Sequence, residues 1–126
     1  MPAPEPGALR QPPSIDAYGG GGFRVSGLWR PGSLLILQDE PADWAPRALA
    51  DVTMADFAGV MSTGAPAVEF VLLGTGRTQA LPPKGVREAL RAAGIGLEFM
   101  STESAARTYN VLASEGRRLA AALIAI

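Results

Sequence analysis

Gly74-Thr75-Gly76, which closes the apolar run "FVLLG", has residue types that could hold a phosphate. Glycines free the backbone to turn its N–H groups toward an anion, and a helix opening at Ser101-Thr102 would add unpaired N–H groups of its own. The dinucleotide fingerprint, however, needs G-x-G-x-x-G running straight into a helix. Here the string is Gly74-Thr75-Gly76-Arg77-Thr78-Gln79, and the next helix signal waits until Pro83. A P-loop is excluded, since no Gly-Lys-Ser/Thr occurs. The tight exit of a buried strand is therefore the stronger reading. A small-ligand or anion site at Gly74, Thr75, Gly76 and Thr102 is the alternative.

A second constellation lies in "ESAARTYNVLASE". On a helix, Arg107, Asn110 and Ser114 share one side at i, i+3 and i+7, with Glu103 one turn before Arg107. The plain reading is a solvated stripe with an i,i+4 ion pair that contributes about 0.2–0.5 kcal/mol. The functional reading makes Arg107 and Asn110 a docking side. Asparagine is a mild cost inside a helix, so Asn110 calls for a specific partner, either a loop carbonyl or another protein. Trp29, between Gly27-Leu28 and the Arg30-Pro31-Gly32 turn, is a core residue or an exposed anchor. Asp39, Glu40, Asp43, Asp51 and Asp56 lack calcium-loop spacing and read as an acidic surface.

What the chain lacks narrows the chemistry further. It has no histidine and no cysteine, so a Ser-His-Asp triad, a thiol nucleophile and a His- or Cys-based zinc site are excluded within it. Carboxylates, Lys84 or a bound cofactor are left as catalytic means, and no motif assigns them a role. No cofactor, metal or catalytic residue is therefore expected. Ten scattered arginines, one lysine and a net charge of −1 give no basic patch for nucleic acid. "MPAPEPGALRQPP" lacks both the apolar core of a signal peptide and the arginine-rich amphipathic pattern of a transit peptide. Residues 1–13 are expected to be a disordered proline-rich tail ahead of one domain, 14–126. "LAAALIAI" is too short to span a bilayer, so a soluble, cytoplasmic protein is expected.

The elements that must position these residues follow from pattern. Phe23, Val25 and Trp29 are spaced for a half-buried strand after a flexible or bulged glycine run at 19–22, and "SLLILQ" reads as a buried one. "PADWAPRALADV" is ambiguous, with Trp44 able to start a short strand. Thr53 and Asp56 approximate a capping box for a helix over 53–62. "APAVEFVLLG" has the near-continuous apolar run of a strand covered on both faces. "PPKGVREALRAAG" is a helix with Pro83 in its first turn and Gly94 as a left-handed cap. With "IGLEFM" these form a parallel, right-handed βαβ unit over 67–100. Ser101 or Thr102 caps the next helix, which turns Ala105, Tyr109 and Leu112 to the core. Alanine favours helix for "LAAALIAI", but Gly116-Arg117-Arg118 looks like a stop, and a strand is chosen.

"GFRVSG…RPGSLLIL", "VLLGTG" and "LRAAGIGLEFMSTESAARTYNVLASEGRRLAAALI" together resemble a family of small α/β proteins. Its mitochondrial member is NADH dehydrogenase (ubiquinone) 1 alpha subcomplex assembly factor 3. The resemblance runs from about Ile15 to Ile126, and "AARTYNVLASEGRR" downstream of "LLGTG" is its most specific part. It implies a three-layer α/β fold around a mixed sheet of about five strands, an additional N-terminal β-element and a C-terminal strand. It implies no enzymatic activity and supplies no catalytic residues. The partners it implies are respiratory complex I intermediates or other assembly factors, met near a membrane through those partners. The missing transit peptide points to a bacterial relative.

Overall fold

A computed structural model describes residues 10–126, and its centre is a five-stranded mixed sheet in the order β5-β4-β8-β6-β7. The strands are β4 (Ser33–Leu37), β5 (Glu40–Trp44), β6 (Phe70–Gly74), β7 (Gly96–Met100) and β8 (Leu119–Leu123). β6 runs parallel to β7 and β8, while β4 is antiparallel to β8 and β5. β1 (Ile15–Gly19), β2 (Gly22–Val25) and β3 (Leu28–Pro31) form a separate antiparallel sheet. This is the expected mixed α/β domain with its extra N-terminal β-element.

Period-two alternation divides the core into two layers. Phe70 and Leu72 of β6, with Leu119, Ala121 and Leu123 of β8, meet α3 (Thr102–Ser114) and the small sheet through Tyr109, Ala105, Phe23 and Ile15. Val71 and Leu73, with Ala120 and Ala122, face α1 (Ala58–Thr63) and α2 (Lys84–Ala92) through Val60, Val86 and Leu90. All five residues of β6 and of β8 are buried, as a strand covered on both faces must be.

Several expected boundaries move, each for a local reason. Phe23, Val25 and Trp29 do not share one strand, because Ser26 (φ 47°) and Gly27 (φ 83°) reverse the chain into a hairpin. The glycine run is likewise a turn: Gly19 pairs with Gly22 across Gly20-Gly21, whose φ values of 64° and 83° suit the primed hairpin turns. Trp44 ends a strand rather than starting one. The 53–62 helix opens as a 3-10 turn over Met54–Phe57, with the Thr53 N–H donating to Asp56 at 2.8 Å. The central strand begins at Phe70, since Gly64 (φ 84°) and the turn after it occupy "GAPAVE". Ser101, not Thr102, caps α3, and its Oγ accepts the Ser104 N–H.

Leu112 is only half-buried, and Ala106 and Ala113 join Ala105 and Tyr109 on the core face of α3. Residues 1–9 of the expected tail lie outside the described residues. Its inner end is not free at Arg10, whose guanidinium makes two hydrogen bonds to the Asp39 carboxylate, 3.1 and 3.0 Å, and a third, 2.9 Å, to the Gly116 carbonyl.

Candidate interaction surface

The sequence-derived site residues fall into two separate places. Gly74, Thr75, Gly76 and Thr102 come together at the carboxyl end of β6. Thr102 is fully buried, and its Oγ1 donates to the Ile124 carbonyl at 2.7 Å while accepting the Gly76 N–H at 3.0 Å. The Thr102 N–H returns to the Gly76 carbonyl at 2.8 Å, and the Thr75 N–H goes to Met100 at 2.8 Å. The Thr75 hydroxyl donates to Thr78 and accepts from Ala80. A Cβ on Gly74 would lie 2.9 Å from Thr102 Oγ1 and 3.0 Å from its Cα, so glycine is what lets α3 start this close to β6.

Several of the N–H groups that an anion would need are engaged within the protein. Four such donors, from Thr75, Gly76, Thr102 and Ser104, already have partners. The turn is a clasp joining β6, α3 and the end of β8. This geometry does not support the anion-site alternative.

Arg107 and Asn110 point to different surroundings on α3. Arg107 is exposed and pairs with Glu103, which also accepts from the Tyr18 hydroxyl. Asn110 accepts the Ile15 N–H at 2.8 Å and donates to the Ile15 carbonyl at 2.9 Å. The partner of Asn110 is thus the start of β1, and its carboxamide fastens the small sheet to α3. Ser114 bonds back to the Val111 carbonyl within its own helix. Beside this stripe Tyr109 is almost wholly buried, and burial, aided by the Asp39 charge, pushes its phenol well above the usual range.

Two surfaces stand out among the described residues as able to receive a partner. One is β3, where Leu28 and Trp29 are 71% and 50% exposed. Trp29 still packs its ring over the hairpin, since a Cβ on Gly22 would meet it at 2.9 Å. Trp44, by contrast, is buried edge-on to Phe57, and its indole N–H donates to the Asp56 carbonyl at 2.9 Å.

The other surface is β7, an end strand of the large sheet. A groove of about 340 Å³ lies on its α3 side, lined by Met100, Thr108 and Leu112 among others. A second, of about 450 Å³, lies on its α2 side beside Leu97, Phe99, Arg87 and Arg91. Pattern reading recognised "IGLEFM" as a strand and missed it as a surface. The available sign was its composition, which has one charge and apolar residues at 97, 99 and 100.

No group of three or more acidic residues among the described residues is placed to hold a metal ion. No helix among them is long and apolar enough to cross a membrane.

The family model described as "Protein of unknown function (DUF498/DUF598)" matches residues 15–124. An uncharacterized protein of Rhodobacter capsulatus is 42% identical over 120 residues, 95% of this chain and 90% of that protein. NADH dehydrogenase [ubiquinone] 1 alpha subcomplex assembly factor 3 of Bos taurus is 37% identical over 111 residues, 87% of this chain. The match spans 59% of that factor's length. Among solved structures, one described as an outer membrane protein from Bartonella henselae superposes with a TM-score of 0.83 at 35% identity. It covers 90% of this chain and 95% of its own.

Proposed function

This chain belongs to the DUF498/DUF598 family, and from that membership we propose that it is a non-enzymatic interaction module acting in the assembly of respiratory complex I. The observation that carries the reading is its 37% identity, over 87% of its length, to a protein named as an NADH dehydrogenase [ubiquinone] assembly factor. The chemistry agrees, since histidine and cysteine are absent from the sequence and the glycine-rich turn holds the fold together. Its partners are then assembly intermediates of the complex or other assembly factors. It works from the cytoplasm of a bacterium, peripheral to the membrane through those partners.

Deleting the gene tests this reading when membranes are resolved by native electrophoresis and NADH:ubiquinone activity is measured. Loss of the assembled complex with accumulation of subcomplexes is expected, together with retention of complex I subunits on the tagged protein. Full assembly, full activity and no retained subunit would overturn it.

A further inference from the structure

β7 leaves the backbone hydrogen-bonding groups of two of its five residues without a strand partner. Its Gly96 N–H donates to Glu69 at 3.0 Å and its Met100 carbonyl accepts the Thr75 N–H, so the even-numbered residues face β6. Alternation along a strand then turns the N–H and C=O of Leu97 and Phe99 outward, away from the sheet. Among the described residues no strand pairs with that side. Such a row is a template for one more strand, whose alternate side chains would enter the grooves on either face.

Charge selects the occupant. The α2-side groove is bordered by Arg87 and Arg91, one helical turn apart. Among the described residues neither has a carboxylate within 4.0 Å. A second copy of this chain fits poorly. Antiparallel pairing about the middle of β7 would set Glu98 opposite Glu98, and would bring both copies' Arg87 and Arg91 to the same face of the seam. Resting on the reading of this chain as an interaction module, we propose that β7 accepts an extended segment of a different protein as a sixth strand. That segment carries carboxylates facing Arg87 and Arg91.

Photo-crosslinking in the cell tests the proposal, with p-benzoylphenylalanine replacing Glu98 on β7, Asp43 on β5 or Val111 on the outer side of α3. The Glu98 position is expected to give the dominant product, and mass spectrometry should find the captured segment acidic. Arg87→Glu with Arg91→Glu should lower that yield by about tenfold or more, while Arg87→Lys with Arg91→Lys keeps most of it. Circular dichroism confirms that each variant folds. Four results would overturn the proposal: products mainly from Asp43 or Val111, a covalent dimer of this chain, a yield indifferent to charge reversal, or no product. An acidic segment captured from a protein outside complex I assembly would leave the docking mode standing and remove the complex I reading.

Discussion

The two edges of the large sheet meet water in opposite ways. β5 carries Glu40, Pro41 and Asp43 in five residues, and Asp43 is paired with Arg30 of the small sheet. Its hairpin closes through Gln38 and Asp39, both at positive φ, with Leu37 opposite Glu40. In a two-residue hairpin the pair next to the turn exchanges its hydrogen bonds, so Pro41, one step on, faces outward where a donor would be exposed. Proline and charge at an edge discourage strand addition. β7 has neither proline nor paired charge, and an open groove lies along each face. The fold closes one edge and leaves the other available, which is how a small domain can bind at one place without aggregating at both.

The largest expected effect contrasts how the edges are anchored. Trp44 ends β5 as a buried ring against Phe57, and Trp44→Ala should cost about 3–5 kcal/mol through the cavity it leaves. Phe99 on β7 is only partly buried, so Phe99→Ala should cost less, about 1–2 kcal/mol. Urea denaturation of both variants measures the difference, and equal losses would mean that β7 is as tightly built in as β5.

Next in size is a pair of proline substitutions that separates the inner and outer sides of β7. Glu98→Pro deletes an N–H directed at β6 and strands a carbonyl in the buried strand, costing about 3 kcal/mol or more. Leu97→Pro removes an outward N–H and some packing, for about 1–2 kcal/mol. If the two proved alike, the assignment of the free side would be wrong. On β5, Pro41→Val should change stability by no more than about 0.5 kcal/mol. Sedimentation should nevertheless show increased self-association, because it adds an exposed donor to an edge that had none there.

How far these features were legible in the sequence depends on the range of the interaction that makes them. The βαβ unit was readable because an apolar run, a capped helix and Gly94, now seen at φ 74°, are local signals that agree. The clasp residues were also readable as a group, since Gly74–Gly76 and Thr102 adjoin strand ends that must be neighbours in a parallel pair. Their role was not, because it depends on Thr102 reaching Ile124 across 22 positions. Asn110 stood out as a helical asparagine in need of a partner, yet nothing local could name Ile15, 95 residues away. Strand order is the least local property of all. That β7 would stand at an edge, and β8 between β4 and β6, is decided by packing of the whole chain.

The smallest expected effect concerns the rim of the β7 groove on the α3 side, where pH enters. Glu69 precedes β6 and accepts hydrogen bonds from Arg117 at 3.1 Å and Arg118 at 3.2 Å, and Arg117 also lies over the Phe70 ring at 5.1 Å. Those hydrogen bonds hold the Glu69 carboxyl below its ordinary value, with the two positive charges adding to the effect. A carboxylate with a depressed folded-state pKa binds its proton less readily in the native state than in the unfolded chain. Its contribution to stability is therefore complete above the ordinary glutamate range and is lost as pH falls through the lowered folded value. Because Glu69 is on the surface, salt should weaken the contribution. Glu69→Gln should lower the melting temperature slightly at pH 7 and least at low pH, leaving the acid limb slightly flatter. The control removes the donors instead: Arg117→Gln with Arg118→Gln takes away the two groups that hold the Glu69 carboxylate and should flatten the limb in the same way. If the limb kept its slope in both variants, the acid sensitivity would belong to the surface at large, and the rim of β7 would not be electrostatically distinct from the closed edge.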